Sequence, residues 1–121
     1  MAHQMQTSME MERAINDSLD CYRACSQTIS HCLEMGGKHV EPGHIRLLMD
    51  CENICALSAL YMARGSQFHP EICGICADIC DRCAQSCLEV DPNDSMMQQC
   101  ADACRTCAQS CRVMARMRRA A

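Results

Sequence analysis

The sequence predicts an all-α protein, an up-down-up-down four-helix bundle with a cysteine-lined core. Three observations carry that expectation. Fourteen Cys in 121 residues recur mostly at alternating steps of three and four, the a and d spacing of one helical face. Three breaks, Gly36-Gly37 through Pro42, Gly65 through Pro70 and Asp91-Pro92-Asn93, carry the glycine and proline chemistry that stops one helix and starts the next. The first of the intervals they leave contains almost no β-branched run that would argue for a strand.

The elements follow in order. A first helix over about 8–35 opens with Thr7-Ser8-Met9-Glu10, a capping-box pattern, and carries Cys21, Cys25 and Cys32 with Ser18 and Thr28 in the same register. A second, over 42–64, carries Cys51 and Cys55 with Leu48 and Ser58 in register. The third, over 70–89, runs Cys73, Cys76, Cys80, Cys83, Cys87, and the fourth, over 93–118, runs Cys100, Cys104, Cys107, Cys111. The last two contain an internal repeat: Cys76-Ala-Asp-Ile-Cys-Asp-Arg-Cys-Ala-Gln-Ser-Cys87 matches the stretch from Cys100 to Cys111 at 9 of 12 positions, so both helices should do the same job. Helices joined by loops this short pack antiparallel with their stripes inward. The chain, 1–121, reads as one metal-binding domain.

Composition narrows the function. A chain 49% hydrophobic and 21% charged has enough apolar content to fold. With 11 Lys and Arg against 15 Asp and Glu, no Trp, one Phe and two Tyr, it lacks the basic excess and stacking rings of a nucleic-acid binder. No run of 18 apolar residues exists, and the start Met1-Ala-His-Gln-Met-Gln-Thr7 has neither a basic n-region nor an apolar h-region. Neither a membrane span nor a signal peptide is expected, and the location reads as cytoplasmic. There thiols stay reduced, which turns the cysteines from a disulfide scaffold into metal or redox chemistry.

The stripe favours a soft monovalent ion. Cys at i and i+4 has Cβ atoms about 5–6 Å apart, too far for the roughly 3.5–4.5 Å of a disulfide. A two-coordinate S–metal–S bridge with bonds of about 2.3 Å, as for zinc thiolate, spans ~4.5 Å, within rotamer reach. Linear thiolate coordination suits Cu(I). Charge agrees, because buried thiolates need cations and about one Cu(I) per bridging thiolate leaves the core near neutral. Without metal the thiols stay protonated and pack as small apolar groups, so the bundle should fold empty or full. A [4Fe–4S] ferredoxin is disfavoured because no Cys precedes Pro. A redox role for Cys73-Gly-Ile-Cys76 lacks the βαβ context. Zinc or general soft-metal sequestration, through two i,i+4 pairs forming an S4 site, is the alternative function.

At the bundle ends the registers reach softer ligands. One end gathers Met11, Met62, His69 and Met114, one from each helix, and is the favoured mouth; the other offers Met35, His44 and Met97, with Met96 and His39 nearby. His31 flanks the stripe and should face solvent, while Arg112, Arg116, Arg118 and Arg119 complement the dipole of the last helix. The second helix is apolar beyond its stripe, with Met49, Ala56 and Leu60 roughly opposite Cys51. A homo-oligomer, a tetramer, with this helix in an interface is expected.

With its repeated Cys-x-x-Cys-x-x-x-Cys helices, preceded by Arg64-Gly-Ser66 and Pro70-Glu-Ile-Cys73, the chain resembles the four-helix-bundle copper storage proteins, specifically their cytosolic branch. The resemblance covers nearly the whole chain. It implies a non-enzymatic bundle, commonly a homotetramer, that stores many Cu(I) ions on core thiolates; a copper chaperone is a candidate partner. Carried over by position, the ligands are Cys21, Cys25, Cys32, Cys51, Cys55, Cys73, Cys76, Cys80, Cys83, Cys87, Cys100, Cys104, Cys107 and Cys111. Two departures stand out. Several relatives have a His shortly after the last Cys of the third helix, where this chain has Leu88-Glu-Val90, and some have a Cys where His44 stands. The start, with Met5, Met9 and Met11, is more similar to the exported branch.

Overall fold

The computed structural model describes residues 2–117, and the side chains from Met9 onward. Its elements are α1 (Ala2–Met35), a 3-10 turn (Gly37–Val40), α2 (Pro42–Ala63), α3 (His69–Val90) and α4 (Ser95–Ala115). No strand occurs among the described residues. Each helix packs on two neighbours, α1 on α2 and α4, and α3 on α2 and α4, with α3 and α4 in the most extensive contact. Small residues allow that approach: Ala77 and Ala84 on α3 and Ala101 and Ala108 on α4 are buried beside the stripe. Among the described residues no helix is long and apolar enough to cross a membrane.

The breaks fall where glycine and proline put them. After α1, Gly36 (φ 70°) and Gly37 (φ 56°) take left-handed backbone that a side chain resists. α2 begins at Pro42, with the Glu41 carboxylate accepting from Gly43 N (2.9 Å) and His44 N (2.8 Å). These two bonds hold the Glu41 carboxyl below its usual range. α2 ends in a Schellman motif: Gly65 N donates to Met62 O (3.0 Å) and Ser66 N to Tyr61 O (2.9 Å), with Gly65 at φ 66°. α4 is capped by Asp94, whose Oδ1 accepts from Met97 N at 3.0 Å.

Two boundaries differ from the sequence expectation by more than two residues. α1 continues back to Ala2, so Thr7 and Ser8 lie inside it rather than at its start; Ala2 through Gln6 hold no Gly or Pro to stop the helix. α4 ends at Ala115 rather than 118. Arg112 reaches across to α3, pairing with Asp81 (2.6 Å) and Asp78 (3.4 Å), so it ties two helices together besides lying in the last turn. Arg118 and Arg119 lie outside the described residues.

Candidate metal centre

All fourteen cysteines are free and fully buried, each with no exposed surface. The register companions Ser18, Thr28, Leu48 and Ser58 are buried with them. Every stripe therefore faces one axis, and the sulfurs meet across it as well as along each helix. Cys21 on α1 lies 3.9 Å from Cys51 on α2, 4.0 Å from Cys80 on α3 and 3.7 Å from Cys104 on α4. Cys55 lies 3.6 Å from Cys80, 3.7 Å from Cys76 and 3.9 Å from Cys107. The i,i+4 pairs Cys51–Cys55, Cys76–Cys80 and Cys107–Cys111 are 4.0, 3.9 and 3.8 Å apart. Three thiolates around one ion at ~2.3 Å would sit about 4 Å apart, and two in line about 4.5 Å. The sulfur separations thus match the three-coordinate spacing to within about 0.4 Å and fall roughly 0.5–0.9 Å short of the linear one.

Groups of thiols converge within 4.8 Å at successive levels: Cys25, Cys83, Cys100 and Cys104; Cys21, Cys25, Cys51 and Cys104; Cys21, Cys55, Cys80 and Cys107; then Cys76, Cys107 and Cys111. Cys21, Cys25, Cys104 and Cys107 belong to more than one group, which is the arrangement bridging thiolates require. Proton affinities split within this network. Cys76 and Cys100 are pushed down, first by hydrogen bonds from Cys107 and Cys104 respectively, while Cys55 and Cys104 are pushed up, first by Cys107 and Cys100. A thiolate here is held by neighbours that keep their protons, so extensive ionisation needs a metal to replace them. Oxygen interrupts the sulfur at two places. Ser18 Oγ lies 3.6 Å from Cys107 and 3.5 Å from Cys111, and Ser58 Oγ lies 3.3 Å from Cys73 and 3.8 Å from Cys111.

The ends of the axis differ. At one, Cys32 Sγ is approached by His39 Nδ1 (3.5 Å), His44 Nε2 (3.6 Å) and Met97 Sδ (3.7 Å). His44 Nδ1 lies 2.8 Å from Ser86 Oγ, a partner that leaves Nε2 facing the thiol. Burial lowers the affinity of His44 for a second proton, and burial followed by the Asp94 charge pushes Cys32 up to about 11. Met35, expected in this register, is instead 55% exposed. The helix ends at that residue and the chain reverses at Gly36, so His39, only 2% exposed, occupies the place the register gave to Met35. At the other end Met62 and Met114 are buried, and Met11 is partly buried. His69 begins α3 with Nδ1 3.0 Å from Ser66 O and a buried Nε2 that has no partner.

Sequence reasoning missed the contacts around the first end. His31 does not simply face solvent: its Nε2 is 2.8 Å from Asp94 Oδ2, and His39 Nε2 is 2.9 Å from Asp91 Oδ2. The His39 hydrogen bond lowers Asp91; for Asp94, burial opposes ionisation but the bonds from His31 and Met97 N outweigh it. None of these residues lies on the cysteine period, and no local motif links them.

Four antiparallel helices enclosing converging thiols, with imidazole and thioether at the ends, define a multi-ion store for a soft metal. The sequence profile of the copper storage proteins matches residues 7–116, and the chain belongs to that family. It is 45% identical to the Nmul_A1745 protein of Nitrosospira multiformis, whose structure superposes with a TM-score of 0.83 over 89% of this chain and 96% of that one. The Cu(I)-bound copper storage protein BsCsp3 is 42% identical, with a TM-score of 0.81 over 88% and 98% of the two chains. A cytosolic copper storage protein from Streptomyces lividans, solved during copper loading, is 27% identical, with a TM-score of 0.76 over 88% and 92%. The chain stores multiple Cu(I) ions, and the thiol-lined core favours this over the zinc alternative.

Proposed function

We propose that the store operates in the cytoplasm as a non-catalytic Cu(I) reserve holding about one ion per cysteine, on all fourteen thiolates listed by register. The observation that carries this reading is the network of sulfur contacts, with Cys21, Cys51, Cys55, Cys76, Cys80, Cys104, Cys107 and Cys111 joined at 3.6 to 4.0 Å, as in Cys55–Cys80 and Cys76–Cys107, and Cys25, Cys83 and Cys100 converging on Cys104 within 4.8 Å. Each thiolate then bridges two ions, and the filled core stays near neutral. A single domain spanning the chain and a copper chaperone as donor fit this reading.

The outermost copper subsite is Cys32 with His44 Nε2 and Met97 Sδ, and copper passes at this end. His44 Nε2 and Met97 Sδ already flank the thiol there, and weak thioether and imidazole ligands let an arriving ion shed its carrier ligands stepwise. A second reading places the mouth at Met11, Met62, His69 and Met114. It is favoured by the buried, unpartnered Nε2 of His69. Oligomerisation, as a tetramer, uses the apolar face of α1 and α2, where Ile15, Leu19, Tyr22, Ala56 and Leu60 line one depression.

Titration of reduced protein with Cu(I) against a chromophoric chelator tests the proposal. Saturation near one ion per cysteine, with Zn(II) unable to displace copper, is expected; saturation at three or four ions with zinc preferred overturns it. In the same assay a His44→Leu, Met97→Leu variant should load several-fold more slowly at nearly unchanged capacity. If only a Met62→Leu, His69→Leu variant is slowed, the second reading holds.

A further inference from the structure

Beyond the thiol core, one cluster of side chains has the composition of a different metal site. The geometry points to a divalent-ion site, of the kind that holds Zn(II), built from His31, His39, Asp94 and Asp91 at the rim of the Cys32 end. The Nε2 atoms of His31 and His39 and an Asp94 carboxylate oxygen all lie within 4.8 Å of one another. Asp91, beside that trio, places Oδ2 2.9 Å from His39 Nε2, and Asp94 Oδ2 lies 2.8 Å from His31 Nε2 and 4.0 Å from His39 Nε2. A tetrahedral ion with bonds of about 2.0–2.1 Å to nitrogen and oxygen has ligand–ligand edges of about 3.3 Å. The three imidazole–carboxylate separations straddle that value, and drawing Asp91 toward His31 and Asp94 would complete the site.

The supporting contacts orient the side chains toward one another. Each carboxylate divides its oxygens: Asp94 gives Oδ1 to Met97 N at 3.0 Å, Asp91 turns Oδ1 toward Lys38 Nζ at 3.7 Å, and both turn Oδ2 to the imidazoles. His39 is buried, and its other nitrogen, Nδ1, is 3.5 Å from Cys32 Sγ. In His39, Asp91 and Asp94 one polar atom thus fixes the orientation of the other. Four separate pieces of chain supply the ligands: α1, the 3-10 turn, the C-cap of α3 and the N-cap of α4.

The donor set selects a different ion from the core. Two imidazoles and two carboxylates contain no sulfur and carry two negative charges, which match a divalent ion of borderline hardness and suit Cu(I) poorly. An ion on His39 Nε2 leaves the ring proton on Nδ1, pointed at Cys32. The divalent site would therefore hold His39 as a hydrogen-bond donor to the outermost thiolate of the store and pin three chain ends over it.

Untagged protein is filled with Cu(I) under anaerobic conditions, so that the thiols are occupied, and then titrated with Co(II) and Zn(II). One ion per chain is expected, with Co(II) giving the visible bands of a four-coordinate nitrogen and oxygen site and no thiolate charge-transfer band. His31→Gln and Asp91→Asn should each weaken uptake at least tenfold, while their unchanged Cu(I) capacity shows that the bundle is intact. No divalent uptake by copper-filled protein, uptake accompanied by thiolate bands, or uptake untouched by both variants would overturn the assignment.

Discussion

Cysteine meets two demands at each core position. Protonated, its side chain is compact enough to fill the axis of a closely packed bundle beside Ala77, Ala84, Ala101 and Ala108. Deprotonated, the same atom is a soft ligand whose neighbours stand at nearly bridging distance. Ser18 and Ser58 show what the sulfur adds, because a hydroxyl of similar size occupies the register there without a soft lone pair. Ser58→Cys should raise Cu(I) capacity by about one ion, since the new sulfur would join Cys73 and Cys111. Chelator competition on matched samples checks this, and an unchanged capacity would show that ions do not extend to that level of the axis. The stripe was legible at this scale because the heptad period is a property of sequence alone. His31, His39, Asp91 and Asp94 were not, because their meeting depends on how three chain ends converge, which no spacing encodes.

The elements were legible where backbone chemistry is local. Gly36-Gly37, Pro42, Gly65 and Pro70 mark real boundaries because left-handed backbone and the missing proline N–H act within a turn of the residue itself. Thr7-Ser8 failed as a start signal because a capping pattern competes with continued helix, and nothing upstream of it breaks the helix. Met35 failed for the opposite reason: extrapolating a register past the last turn ignores where the chain reverses. The Schellman turn after α2 gives the element-scale prediction. Gly65→Ala forces a Cβ into φ 66° and should cost about 1–2 kcal/mol. Copper-free protein followed in urea by circular dichroism should show a lower midpoint with an unchanged slope. An unchanged midpoint would mean that the turn relaxes into another backbone form at no cost.

For the whole molecule, the proposed assembly rests on the surface left over by the bundle. Leu19 (44% exposed), Tyr22 (42%) and Leu60 (56%) stand out on one α1/α2 face, at positions the copper core does not use. Burying them between copies recovers apolar area that one chain leaves in water. Leu60→Glu should split the oligomer in sedimentation while leaving Cu(I) capacity intact; a strictly monomeric wild type would refute the interface. Because α2 contributes Cys51 and Cys55 on one side and Leu60 on the other, this variant separates the store from its assembly.

The claim on which everything else rests is that copper lies inside the bundle, along the axis of thiols. Anomalous X-ray diffraction at the copper edge, from crystals of Cu(I)-loaded protein, locates the ions directly. The account predicts a column of copper peaks running from the Cys73 and Cys111 level to Cys32, each within bonding distance of at least one thiolate and most of them bridged between two, with the outermost also touching His44 Nε2. Peaks confined to histidine, methionine and carboxylate groups on the surface, with the axis between the cysteines empty, would contradict it.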